Sequence, residues 1–138
     1  MWKFEHSETT TASAGQLWQQ YADPSRWPEW DHETEWVTVN GPFATGTTGV
    51  LKPAGGPKTK FRFVEVTEHR SFTDVSMLPL AKMHFAHRIE STSEGSRFTH
   101  TVTITGPLSG LFGRVIGRKI AAGLPTAMRT LSALAEAA

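Results

Sequence analysis

Residues 83 to 104 read MHFAHRIESTSEGSRFTHTVTI. In the first half Met83, Phe85, His87 and Ile89 alternate with His84, Ala86, Arg88 and Glu90. In the second half Phe98, His100, Val102 and Ile104 alternate with Arg97, Thr99, Thr101 and Thr103. A two-residue period on both sides of a polar STSEGS stretch predicts two half-buried strands joined by a turn. Each strand then carries a histidine in the middle of its apolar face. A register in which paired numbers sum to 187 sets His87 directly opposite His100, and a sum of 189 sets them on a diagonal. Either keeps both imidazoles on one face, with Cβ atoms about 5–8 Å apart.

Working outward, WKFEHSET alternates as a first strand, with Trp2, Phe4 and His6 on one side. In SAGQLWQQYAD, Ser13 and Gln16 have capping-box spacing, and Leu17, Trp18 and Tyr21 form a short apolar stripe, which predicts a brief helix. DPSRW reads as a second helical turn with Asp23 as N-cap and Pro24 first in the helix, ended by Pro28. From Glu33 to Thr105 the signals are all strand and turn: ETEWVTVN, TTGVLK, KFRFVEVTE, SFTDVSML, KMHFAHRIE and SRFTHTVTIT. Connections this short make neighbours antiparallel. Phe61 and Phe63 fall on one parity and Val64 and Val66 on the other, which calls for a bulge near Val64. After Thr105 the period changes. Leu108, Leu111, Phe112, Val115, Ile116, Ile120, Leu124, Met128, Leu131 and Leu134 recur every three or four residues, as in a long amphipathic helix weakened at Gly113, Gly117 and Gly123 and kinked at Pro125.

The expected fold is therefore α+β in one domain, residues 1–138: a seven-stranded curved antiparallel sheet wrapped around a long C-terminal helix, with two short helices after the first strand. A sheet gripping a single helix leaves room for a cavity between them. Five Trp, eight Phe and one Tyr supply a bulky interior. The net charge of +1 argues against nucleic acid as a partner. The absence of cysteine excludes disulfides, thiolate metal sites and cysteine nucleophiles, and fits a cytoplasmic location. No stretch has the pattern of a signal peptide or a membrane span. Nothing in the sequence specifies an oligomeric state.

This order of elements, together with DPSRWPEWD, GPFATGTTGVLKPAGGP, MHFAHRIE, FTHTVTITGPLSGL and LPTAMRTLSALAE, resembles the helix-grip family of START-like (SRPBCC) proteins. The resemblance covers Phe4 to Glu136 and is strongest to the bacterial polyketide cyclase/dehydrase-like branch, which is related to the major birch pollen allergen. It implies binding of sterols, lipids, polyketides, plant hormones or quinone-like molecules in a central cavity. It implies catalysis only for some members, through residues that differ between branches.

His87 and His100 are the candidate polar residues. A close, desolvated pair disfavours the charged forms, and a neutral imidazole offers one donor and one acceptor. Three roles fit: a satisfied core pair, a polar anchor for an apolar ligand, or a general base in a polyketide cyclase/aromatase-type reaction. Phe85, Phe63, Ile120, Leu124 and Met128, with Trp30 near the mouth, would shape a site for one small hydrophobic molecule. A ligand-free interaction module is the remaining alternative. No metal is expected, because His84 and His87 point to opposite faces of a strand and only two histidines share the inner face, with Asp74 or Glu65 as the conceivable third ligand. No cofactor motif is present: GPFATGTTG and PAGGP lack phosphate-loop spacing and read as turns. Trp27, Trp30 and Trp36 are expected to plug one end of the sheet, with Asp31 and His32 solvated beside them.

Overall fold

The computed structural model describes residues 1–138. Strand β1 (Trp2–Thr10) leads into helix α1 (Ala14–Tyr21) and a 3-10 segment (Pro24–Glu29). Strands β2 (Thr34–Val39), β3 (Thr48–Pro53), β4 (Thr59–Thr67), β5 (Ser71–Leu78), β6 (Ala81–Thr92) and β7 (Gly95–Thr105) follow. The C-terminal helix comprises α2 (Ser109–Phe112), a π turn (Gly113–Gly117) and α3 (Arg118–Ala137). All seven strands form one antiparallel sheet in the order β1-β7-β6-β5-β4-β3-β2, so the first strand closes against the last. This is the expected helix-grip architecture.

Local chemistry accounts for the elements. The Ser13 hydroxyl accepts from the Gln16 backbone N–H while the Gln16 side chain accepts from the Ser13 N–H, a complete capping box that starts α1. The 3-10 segment does not end at Pro28 but runs through it to Glu29. Asp23 also makes no cap bond to the backbone; its carboxylate accepts from the Ser25 hydroxyl instead. The β4–β5 register shifts between Phe63 and Glu65, which turns Val64 out to solvent and keeps Phe61, Phe63 and Val66 on the inner side. That is the bulge required by their parity. The β6–β7 pairing follows the sum of 187, with His87 opposite His100, and only Ser93 and Glu94 remain between the strands.

The glycines of the C-terminal helix have a purpose that spacing alone did not reveal. A Cβ at Gly113 would lie 2.6 Å from Cδ1 of Trp2, and one at Gly117 would lie 2.7 Å from its Cη2. The Trp2 indole therefore lies along a bare strip of helix, over the π turn, and ties the edge strand to the helix start. Proline at position 125 is accommodated inside α3, and Leu124, Ala127, Met128, Leu131 and Ala135 form its buried stripe. Gly117→Val is expected to lower unfolding free energy by about 1–3 kcal/mol through overpacking. In a Trp2→Ala background most of that cost should vanish, and urea denaturation of the four proteins measures the coupling.

Candidate functional site

Antiparallel register arranges the concave face of the sheet in rows, because residues directly opposite share a face. One row runs His6, His100, His87, Phe72; the next runs Phe4, Val102, Phe85, Asp74, Phe63; a third runs Trp2, Ile104, Met83, Ser76, Phe61. The first row is the most deeply covered at its centre. Tyr21, Phe63, Phe72, Phe98, His100, Met128 and Leu131 are fully buried around it. Exposure rises along the other two rows, where Met83 and Phe85 are only half-buried despite central positions in the sheet. Phe112, Ile116 and Ile120 on the helix are half-buried as well. The grip is thus packed at its α1 end and looser toward the start of β6.

The two imidazoles meet edge to face, with ring centroids 4.5 Å apart. His87 stacks on Phe72, with centroids 3.9 Å apart and planes 8° from parallel, and lies near-parallel to Phe85. Its Nδ1 donates to the Phe72 carbonyl at 3.3 Å, which assigns the proton to Nδ1 and leaves Nε2 as a free lone pair. His100 Nε2 lies 2.7 Å from the Tyr21 hydroxyl. That hydroxyl has no other acceptor, so the arrangement leaving fewest groups unpaired has Tyr21 donating and the His100 proton on Nδ1. This Nδ1 has no partner, and neither does the buried Nε1 of Trp30, whose ring is centred 6.0 Å from that of His100. Two buried donors without acceptors, in one aromatic wall, are costly at about 1–3 kcal/mol each.

Burial sets the protonation of the site. Desolvation holds His87 down to about 3 and keeps His100 well below the ordinary imidazole value, with the neighbouring His87 and His6 adding repulsion at His100. The Tyr21 hydroxyl is pushed up by burial and stays protonated. Asp74, 8 % exposed between Phe63 and Phe85, is pushed up to about 8 by desolvation alone.

A family model described as polyketide cyclase/dehydrase and lipid transport matches residues 1–137. The chain belongs to this family. Solved structures with the same fold include a protein from Mesorhizobium loti at 14% identity, with a TM-score of 0.76 over 97% of this chain and 96% of that one. Ara h 8.0201 is similar over 99% of this chain and 98% of its own, at 12% identity and a TM-score of 0.76. The di-domain ARO/CYC StfQ from the steffimycin biosynthetic pathway aligns over 97% of this chain and 50% of its own length, at 17% identity and a TM-score of 0.74. No curated protein sequence matches the chain.

In this member of the polyketide cyclase/dehydrase and lipid transport family, the candidate residues occupy different depths. His87, His100, Trp30, Phe63, Leu124 and Met128 are buried, Phe63 and Met128 as fully packed core, while Phe85 and Ile120 are half-buried. Trp27 is buried and its Nε1 donates to the Tyr21 carbonyl, but Trp36 is exposed and plugs nothing. Asp31 is not solvated either. Its carboxylate accepts from the Glu33 N–H and the Thr34 hydroxyl, which ties down the start of β2. Two polar groups of the interior carried fainter signals. Asp74 shares parity with Phe72 and Ser76, which marks it as inward; Tyr21 reads from its helix stripe as plain core, and only the packing of α1 on the sheet brings its hydroxyl to His100.

The titrations predict a stability profile. Asp74 ionises near 3.8 when unfolded but holds its proton to about 8 in the fold, so its contribution is lost as pH rises through that window. The histidines act oppositely: unfolded they protonate below 6.5, whereas in the fold His87 resists down to about 3, so their contribution is lost as pH falls below 6.5. Above about pH 7 the unfolded histidines are largely neutral as well, so among these groups Asp74 dominates the change between pH 7 and 8. The thermal midpoint should therefore decline over that interval, and Asp74→Asn should flatten the decline; scanning calorimetry of both proteins at the two pH values is the check.

Proposed function

We propose that the protein binds one small, largely apolar organic molecule, lipid-, polyketide- or aromatic-like, between the sheet and the C-terminal helix. The observation that carries this reading is the pair of unpartnered buried donors, Trp30 Nε1 and His100 Nδ1, in an aromatic wall. A ligand carbonyl or hydroxyl oxygen would satisfy them, and the surrounding rings would bury the rest of the molecule. The half-exposed Met83 and Phe85 mark the side of approach. Family membership supports the class of function and leaves the ligand open.

A second reading, an enzyme of the polyketide cyclase/aromatase type, rests on the free Nε2 lone pair of His87. A neutral, desolvated imidazole can remove a proton between two carbonyls, and the donors of Trp30 and His100 would serve the oxygen on which the negative charge develops. In that reading His87→Phe abolishes turnover of a β-polyketone while thermal stability stays nearly unchanged. Loss of stability with turnover intact would instead make the pair structural.

Binding is tested with the environment-sensitive ketone Prodan, displaced in turn by 2-acetylnaphthalene and by 2-ethylnaphthalene, which lacks the carbonyl. Trp30→Phe is expected to weaken the ketone by roughly fivefold, the worth of one hydrogen bond, and to move the hydrocarbon much less. Native mass spectrometry of the protein as purified, against a denatured control, reports any retained guest. If no guest is retained and Prodan does not bind, the chain is a filled module without a ligand and the reading is overturned.

A further inference from the structure

Asp74 is a carboxyl group in a place where a carboxylate is hard to sustain. It sits mid-strand in β5, with Phe63 opposite on β4 and Phe85 opposite on β6. It is 8 % exposed, and no neighbouring side chain or backbone group hydrogen-bonds to it. His87 lies on the diagonal from it across β5–β6, and Ser76, the next inward residue of its own strand, is also buried. The Phe85 ring beside it is half-buried, so Asp74 stands at the boundary between the packed and the looser parts of the grip.

The charges elsewhere sharpen the point. Every arginine is exposed, and every lysine is exposed except Lys52, which is half-buried and engaged by Glu35 and the Pro53 carbonyl. The basic residues of the helix, Arg114, Arg118, Lys119 and Arg129, all lie on its exposed side. No cation is therefore buried to meet an acidic headgroup. An anionic guest would lose its hydration without a counter-charge. An uncharged guest bearing oxygen atoms would meet donors instead: the indole N–H of Trp30, the Nδ1–H of His100 and the hydroxyl of a protonated Asp74.

We propose that Asp74 is a ligand-contacting, specificity-determining residue of the grip, and that together with the Trp30 and His100 donors it selects uncharged carbonyl- or hydroxyl-bearing molecules over carboxylates such as fatty acids. This rests on the ligand-binding reading above and narrows it to a class. A hydrocarbon chain ending in a carboxylate is the wrong guest; a neutral ketone or phenol of similar size is the right one.

The test uses two molecules of nearly equal shape, 2-acetylnaphthalene and 2-naphthoate, each competing with Prodan on the full chain. At pH 6.5 the ketone should bind at least about tenfold more tightly than the carboxylate. At pH 9 Asp74 loses its proton and with it the ability to donate, so ketone affinity should fall by roughly threefold to tenfold in the wild type and stay level in Asp74→Asn. The groups facing Asp74 do not mimic this change. His87 and, beyond it, His100 are already neutral at pH 6.5, Tyr21 stays protonated at pH 9, β4 presents Phe63, and α3 directs no ionisable residue inward. His6, at the far end of the histidine row, is common to both proteins. Equal affinity for ketone and carboxylate at pH 6.5, or the same pH loss in both proteins, overturns the proposal while binding of Prodan leaves the broader reading intact. Failure of Prodan to bind overturns both. Should Asp74→Asn fail to fold, the wild-type change in ketone affinity between pH 6.5 and 9 decides, and a level affinity overturns the proposal.

Discussion

An imidazole sealed among aromatic rings cannot carry charge cheaply, and here two of them are sealed together. His87 and His100 are forced into contact by the β6–β7 register, and desolvation keeps both neutral. Each must then find partners with one donor and one acceptor. The Phe72 carbonyl and the Tyr21 hydroxyl meet two of the four needs. The remainder, the Nε2 of His87 and the Nδ1 of His100, are left to the interior. The Tyr21 contact in turn requires α1 to seat deep enough for its hydroxyl to reach the sheet.

The interior divides into a densely packed end and a looser end. Where α1 and the 3-10 segment cover the sheet, Tyr21, Trp27, Phe63 and Phe72 interlock, edge to face except for the stacked Trp27–Phe72 pair. Toward the start of β6, rings on the concave face retain exposure, and there the polar side chains Asp74 and Ser76 enter the apolar surface. Dense packing stabilises one end, and the unpaired donors of Trp30 and His100 lie within it beside Tyr21, where they carry a free-energy cost. Membership in a family described by both cyclase and lipid-transport activities is consistent with one scaffold serving either use, since function depends on which polar groups line the same grip.

Solved structures at 12 to 17% identity share this architecture nearly end to end. At such low identity the likeness extends to the fold alone, so function must be read from this chain's own residues. The residues that depart from a purely apolar interior are thus the informative ones in this chain: His87, His100, Asp74, Tyr21 and Trp30.

Alternation along the strands and the three- and four-residue steps of the helix were sufficient to specify the elements, the bulge at Val64, the inward histidines and the helix-grip order. Such patterns express local geometry and one-sided burial, and both are written in the sequence. The partners were not. Whether Trp30 or Trp36 turned inward, whether Asp31 faced water or capped a strand, and whether Gly113 and Gly117 weakened a helix or received Trp2 depended on elements distant in the chain. The Tyr21–His100 bond joins residues 79 positions apart, and the isolation of Asp74 depends on two neighbouring strands at once. Periodicity could place a side chain on a face; only the assembled sheet and helix decided what that side chain met there, because hydrogen bonding and desolvation depend on all the groups brought around it.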